Sequence, residues 1–191
     1  GREAPSDEDV GQLLDEGPAV LGAGLLPAPG DLEAGGEDGL GAVPVRRLRD
    51  LGFPAPRPIA VGERMVSGVP MESGIVMEEV PGESLLSVLA GLRSPGEELS
   101  AEAEGLVREV AALIRRLHDR GVDHRDLHGG NILAARGPDG FDLCVIDVHS
   151  ARFRRRLAGR RRLGGLAAML HSIAGLMPPA GARLLLDAYL S

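Results

Sequence analysis

The sequence predicts an α+β fold: a strand-bearing N-terminal portion followed by a mainly helical C-terminal portion. Three observations point to it. Residues 59–61 and 74–77 are short apolar runs of strand length, and residues 100–120 carry apolar side chains at helical spacing. The tetrapeptide Gly137-Pro138-Asp139-Gly140 separates two further apolar runs, as a hairpin turn does. With 43% hydrophobic residues among 191, the chain can bury the core of one domain. Aromatics make up only 2% and Trp is absent, so that core must be built from Leu, Val, Ile and Ala.

Taken in order, residues 1–42 are rich in Gly, Pro, Asp and Glu, with short apolar stretches such as 20–26; a frayed arm or a poorly formed set of strands is expected there. Residues 45–51 read as two helical turns, with Pro44 near the start and Gly52 as the stop. The strands at 59–61 and 74–77 follow, joined by a loop. Pro81-Gly82 makes a turn, and residues 83–92 form a short helix. Residues 100–120 are the strongest helix. Ser100 suits the N-cap, Glu102 and Glu104 sit in the first turn, and Arg115, Arg116 and Arg120 sit near the end, each favourable to the helix dipole. Leu106, Val107, Val110, Ile114 and Leu117 form its buried stripe, and Gly121 stops it. Strands at 132–135 and 141–146 flank the hairpin turn, and helices are expected at 163–176 and 179–190.

Composition excludes several classes. Residues 1–45 hold ten acids and one Arg, while the rest holds eighteen acids and twenty Arg, for a net charge of −7. That balance does not suit a general nucleic-acid binder. The single Cys144 cannot form an intramolecular disulfide and fits a reducing compartment. No apolar run approaches the roughly 20 residues of a membrane span, and no signal-peptide core is visible, so a cytoplasmic protein is expected. Every basic residue other than His is Arg; there is no Lys.

The chemistry is concentrated in residues 122–133 and 145–149. A hairpin closed at Pro138-Asp139 sets opposite each other residues whose numbers sum to about 277, and Asn131 and Asp147 sum to 278. The turn therefore brings this amide and this carboxylate to the same open end. Asp126 lies five residues before Asn131, in the loop leaving the long helix. Three oxygen-bearing side chains should converge. Such ligands suit Mg²⁺, which takes one or two carboxylates and keeps several waters. A metal on nucleotide phosphates beside a carboxylate facing a hydroxyl is what phosphoryl transfer needs. Asp126 is then expected to orient an acceptor hydroxyl and accept its proton, and Asn131 and Asp147 to hold the metal.

These residues carry a family resemblance. His124-Arg125-Asp126 with Asn131 matches the protein-kinase catalytic loop H-R-D-x-x-x-x-N, and Asp147 falls where the D-F-G aspartate should. Residues 75–82, Ile-Val-Met-Glu-Glu-Val-Pro-Gly, look like the strand and hinge that cradle adenine, which implies Met77, Glu78, Glu79 and Val80 as nucleotide contacts. Ile146-Asp147-Val148-His149-Ser150-Ala151-Arg152 and the run from Arg47 to Pro56 are similar to the Kdo/WaaP-type lipopolysaccharide kinases. The resemblance covers about residues 45–175. It implies a protein-kinase-like two-lobed fold with a reduced or truncated N-terminal lobe and a mainly helical C-terminal lobe. Residues 1–42 would be an acidic segment or small-lobe remnant, 43–80 the small-lobe remainder, and 81–191 the large catalytic lobe. It further implies ATP with Mg²⁺, catalytic roles for Asp126, Arg125 and His124, and transfer to a hydroxyl of a lipopolysaccharide-core sugar.

The pattern also breaks. Kinases hold the α/β-phosphates with a small-lobe Lys paired to a helical Glu. Here there is no Lys, Gly41 falls near the expected Glu, and Gly22-Ala23-Gly24 is a trace of a glycine loop. Gly165 stands where relatives carry an Asp that braces the catalytic loop. Two alternatives of other kinds follow: a catalytically impaired or truncated nucleotide- or partner-binding module, and an aminoglycoside- or choline-type small-molecule kinase. A metal-dependent hydrolase built on His124, Asp126, His128, Asp147 and His149 is a third. Residues His118 and Cys144 read as structural. Arg152, Arg154, Arg155 and Arg156, with Arg160–Arg162, read either as a solvated loop or as a platform for an anionic sugar or glycolipid acceptor at the inner membrane surface.

Overall fold

The computed structural model describes residues 33–35, 42–66, 69–93, 98–138 and 140–191. The expectations for residues 20–26, Gly22–Gly24 and Gly41 lie outside them. The chain forms two compact units. Arg57–Glu78 and the described residues before Leu48 make one; Leu48–Pro56 and Glu79–Ser191 make the other.

The smaller unit is a three-stranded antiparallel sheet in the order β1 (Glu33–Gly35), β2 (Pro58–Val66), β3 (Val69–Met77). Strands β2 and β3 pair with Val61 opposite Ile75 and Gly62 opposite Gly74, with irregularities between Pro58 and Ala60 and between Arg64 and Met65. Both strands run to nine residues, well beyond the apolar runs of the sequence. Their outer halves contain Gly, Glu, Ser and Pro, which carry no strand signal, yet the antiparallel ladder satisfies their backbone. At the open end Arg57 N–H donates to Glu78 Oε1 and Glu78 N–H donates to the Arg57 carbonyl, both at 2.8 Å.

Helix α1 (Val43–Asp50) begins with Pro44 in its first turn and ends before Gly52, whose φ of +83° any other residue would adopt only under strain. Residues 53–56 belong to the larger unit because they bind it: the Pro54 carbonyl accepts from Val145 N–H at 2.9 Å, and the Arg116 guanidinium covers the Phe53 ring.

The larger unit is organised on helix α3 (Ala101–Asp119), capped as its sequence predicts by Ser100, whose hydroxyl accepts from Ala103 N–H. Leu106, Val107, Val110, Leu113, Ile114 and Leu117 are buried along it. They pack against helix α5 (Pro179–Leu190) and strand β7 (Gly140–Val145). Burying each of these side chains contributes about 1.5–3 kcal/mol. Strand β7 pairs with β6 (Ile132–Gly137), and β6 also pairs with a two-residue strand, β4 (Glu83–Ser84). The helix expected at 83–92 therefore starts later, as α2 (Leu85–Gly91), because Ser84 serves as its N-cap and accepts from Ser87 N–H. Helix α4 (Gly159–Ile173) starts and ends earlier than the 163–176 its apolar spacing suggested. Its first turn is the arginine run, which has no apolar period and is fixed by polar contacts. Arg162 bonds Asp119 at 2.7 Å and the His118 carbonyl at 3.2 Å.

A two-stranded ribbon of β5 (Val122–Asp123) and β8 (Arg152–Phe153) has too few residues for any sequence signal. Gly121 makes it possible. Its φ is +73°, and a Cβ there would run into the Arg154 carbonyl, while Arg154 N–H donates to the Gly121 carbonyl at 2.9 Å. This ribbon ties the loop after α3 to the segment after β7.

Candidate active site

The β6–β7 hairpin has the register that the turn dictates: Ile132 faces Val145, Leu133 faces Cys144, and Gly137 faces Gly140. One step beyond the last strand pair, Ile146 N–H donates to the Asn131 carbonyl at 3.0 Å. Asn131, at the end of a 3-10 turn (Gly129–Asn131), and Asp147, next to Ile146, thus lie at the same open end. Cys144 is buried in β7 as expected.

The loop after β5 is bound to this end from both sides. Asn131 Nδ2 donates to the Asp126 carbonyl at 2.9 Å and to its Oδ2 at 3.4 Å. His124 Nε2 bonds the Ile146 carbonyl at 3.1 Å, and Ser150 Oγ donates to the His124 carbonyl at 3.0 Å. Asn131 and His124 are buried, whereas the side chains of Asp126 and Asp147 are 57% and 47% exposed, so rigid polar groups support two accessible carboxylates. His149 Nδ1 is bonded to Asp147 Oδ1. His128 Nδ1 accepts from Gly130 N–H, and its Nε2 lies 3.8 Å from Asp126 Oδ2.

Only Arg125 (φ +68°) and Asp147 (φ +54°) are non-glycine residues with positive φ among the described residues. Each costs on the order of 1 kcal/mol or more, and such strain concentrates at functional sites. Both flank this end of the hairpin. The strain is held by the hydrogen bonds of His124, Asn131 and Ser150.

Burial sets the two nearby histidines. His118 is pushed down to about 4, first by burial and then by Arg162, against the upward pull of Asp119 and Asp123. It is neutral at pH 7 and bonds the Tyr189 hydroxyl at 2.8 Å, a structural contact between α3 and α5. Burial likewise lowers His124.

The remaining sequence-predicted residues are distributed more widely. Met77 and Glu78 end the smaller unit, and Glu79 and Val80 begin the larger one. Arg152, Arg155 and Arg156 are exposed on the segment after Asp147, and Arg154 lies 3.8 Å from Asp123. Among the described residues no group of three or more His, Cys, Asp or Glu side chains is placed to hold a metal ion. Two residues of the site escaped the sequence reading: Ser150, and Asp123, which binds Arg161 at 2.8 Å. An Asp inside the Val122–His124 run was the available signal for the latter.

Residues 43–189 match the model of the lipopolysaccharide kinase (Kdo/WaaP) family. The chain belongs to that family. It is 34% identical over 119 residues to a 3-deoxy-D-manno-octulosonic acid kinase of Stenotrophomonas maltophilia, covering 59% of this chain and 43% of that protein. To lipopolysaccharide core heptose(I) kinase WaaP of Escherichia coli it is 28% identical over 123 residues, covering 62% and 46%. It thus spans less than half the length of these relatives. A solved structure of WaaP in complex with acyl carrier protein superimposes with a TM-score of 0.61 and 29% identity, over 78% of this chain and 64% of that one. The Rio2 kinase–ADP/Mg²⁺-phosphoaspartate complex of Chaetomium thermophilum, at TM-score 0.50 and 21% identity over 79% and 44%, shares the fold. The fold is therefore protein-kinase-like. No helix among the described residues is long and apolar enough to cross a membrane.

Proposed function

We propose that this chain carries the catalytic part of an ATP-dependent kinase that transfers the γ-phosphate to a sugar hydroxyl of the lipopolysaccharide inner core. The observation that supports it most is the union of Asp126, Asn131 and Asp147 at one end of the β6–β7 hairpin, within a chain of the Kdo/WaaP family.

The side chains fit a hard cation. With Nδ2 committed to Asp126, the Asn131 amide presents its oxygen, and Asp147 keeps one carboxylate oxygen free of His149. These are the oxygen donors that Mg²⁺ takes. Bound there with ATP, Mg²⁺ would offset charge on the phosphates. Asp126 presents an exposed carboxylate to the acceptor hydroxyl, orients it and takes its proton. His124 and Arg125 position Asp126, His124 by fixing the loop to the Ile146 carbonyl and Arg125 by its left-handed turn. Met77, Glu78, Glu79 and Val80 are nucleotide contacts in this reading. Arg152, Arg154, Arg155 and Arg156 meet an anionic glycolipid, at the inner membrane surface, through charge-assisted hydrogen bonds.

The absence of Lys supports a second reading, a nucleotide-binding module without turnover. Transfer of labelled γ-phosphate from ATP to isolated lipopolysaccharide separates the two. Transfer that is lost in Asp126→Ala supports the kinase; Mg-ATP binding without transfer supports the module.

A further inference from the structure

Helix α4 is bonded to the catalytic loop near its C-terminal end. Ser172 Oγ accepts from Gly129 N–H at 3.0 Å, a contact between residues 43 apart in the chain. Among the described residues this is the only side-chain hydrogen bond from α4 to residues 124–131. We propose that Ser172 is a positioning residue: it braces the catalytic loop, and thereby sets the Asn131 amide and the Asp126 loop that this amide holds. The proposal deepens the kinase reading above, because the amide it fixes is the one assigned there to Mg²⁺.

The hydrogen bonds of the turn single out Ser172. Gly129–Asn131 form the 3-10 turn, and each of its three amides has a partner. Gly130 N–H donates to His128 Nδ1 and Asn131 N–H to the His128 carbonyl, both at 3.0 Å and both local. Gly129 N–H alone is satisfied from a distant part of the chain. Asn131 Nδ2 then donates to the Asp126 carbonyl at 2.9 Å. A displacement of Gly129 is therefore passed along the turn to Asn131, and from there to Asp126.

The hydroxyl is fixed as an acceptor. Its single proton goes to the Met169 carbonyl at 2.7 Å, one turn back along α4, which leaves its lone pairs for Gly129 N–H. Gly129 is buried, and a Cβ there would lie 2.6 Å from Leu86 Cδ2 and 3.3 Å from Ile173 Cγ2. Glycine thus lets the backbone sit between α2 and α4. A buried N–H left without an acceptor costs free energy, so loss of the hydroxyl favours displacement of the turn.

The helix face explains why the brace is here. Gly165 and Ser172 lie about two turns apart on one face of α4. A Cβ at Gly165 would lie 3.6 Å from Leu127 Cδ2, so residues 127–129 run along this face. Gly165, Ala168 and Met169 offer that stretch no polar side chain. Ser172 does.

The test starts with amide exchange, measured by NMR on the full chain free of metal and nucleotide. Ser172→Ala should speed exchange at Gly129 by about tenfold while the amides of the β6–β7 hairpin stay within about twofold of wild type. Ser172→Thr, which keeps the hydroxyl, should restore the protection. Thermal-shift titration of Mg²⁺ at fixed ADP gives a second readout, one that a merely structural role would leave alone. Half-saturating Mg²⁺ should rise about three- to tenfold in Ser172→Ala and return in Ser172→Thr. Unchanged exchange at Gly129 in Ser172→Ala overturns the proposal. So does an equal rise across the whole hairpin, an unchanged Mg²⁺ requirement, or failure of Ser172→Thr to restore either. If wild type binds no Mg-ADP, the kinase reading fails, and exchange at Gly129 alone decides the brace.

Discussion

Asp123 and Arg161 form an ion pair at 2.8 Å that joins strand β5 to the first turn of α4. The Asp123 side chain is 11% exposed and the Arg161 side chain 47%. Gly165, one turn further along α4, offers no side chain to the loop, and this pair, with Arg154, adds to the β5–β8 ribbon in tying the loop's entrance to α4 and to the segment after Asp147. Here the carboxylate is on the strand and the cation on the helix.

Removing that carboxylate should destabilise the protein. A charged hydrogen bond is worth about 1.5–3 kcal/mol, and the exposure of Arg161 places the expected loss for Asp123→Asn at the lower end. Urea unfolding of Asp123→Asn, Arg161→Gln and the double variant gives the coupling energy. A double variant no less stable than either single one is expected; strictly additive losses would show that the pair does not interact.

Gly121 is a second point of fixation. Any Cβ there meets the Arg154 carbonyl in a left-handed backbone, so Gly121→Ala should break the β5–β8 ribbon and cost about 1–3 kcal/mol. Thermal unfolding should show a clear drop, while Gly91→Ala, where a Cβ meets nothing, should match or exceed wild type.

Stability should depend on acid through His118. Its pKa is lowered in the folded state to about 4 from an ordinary 6.5, so the unfolded chain binds more protons between these values. Stability is therefore full above about pH 6.5 and declines as pH falls to about 4, with His124 acting in the same direction. Urea midpoints measured from pH 7.5 down to pH 4.5 should fall, and fall less steeply in His118→Gln. Equal slopes would exclude His118 as the source.

The parts of this fold that were legible in the sequence are those governed by local rules. Ser100, the apolar stripe of α3 and Gly121 specify one helix, and the Gly-Pro-Asp-Gly turn specifies the β6–β7 register residue by residue. That register is why Asn131 and Asp147 could be paired in advance. What was hidden depends on partners far along the chain. The two-residue strands β4, β5 and β8 exist only through their neighbours. The early start of α4 rests on Arg161 and Arg162 reaching Asp123 and Asp119, which no periodicity reveals. The outer halves of β2 and β3 read as loop because their residue types fit strands poorly until a partner strand is present.

Nucleotide binding should require Asp147 more than Asp126. Asp147→Ala is expected to abolish the thermal stabilisation given by Mg-ATP, whereas Asp126→Ala should keep it. The reverse order would move the metal to the other carboxylate.

The most direct measurement is the rate of γ-phosphate transfer from labelled ATP to lipopolysaccharide core by wild type and by Asp126→Ala. The account predicts measurable transfer by wild type and a loss of about 10²–10⁴-fold in kcat for the variant, with nucleotide affinity retained. Transfer undiminished in Asp126→Ala would contradict it, because the carboxylate that Asn131 holds in place would then take no part in the reaction.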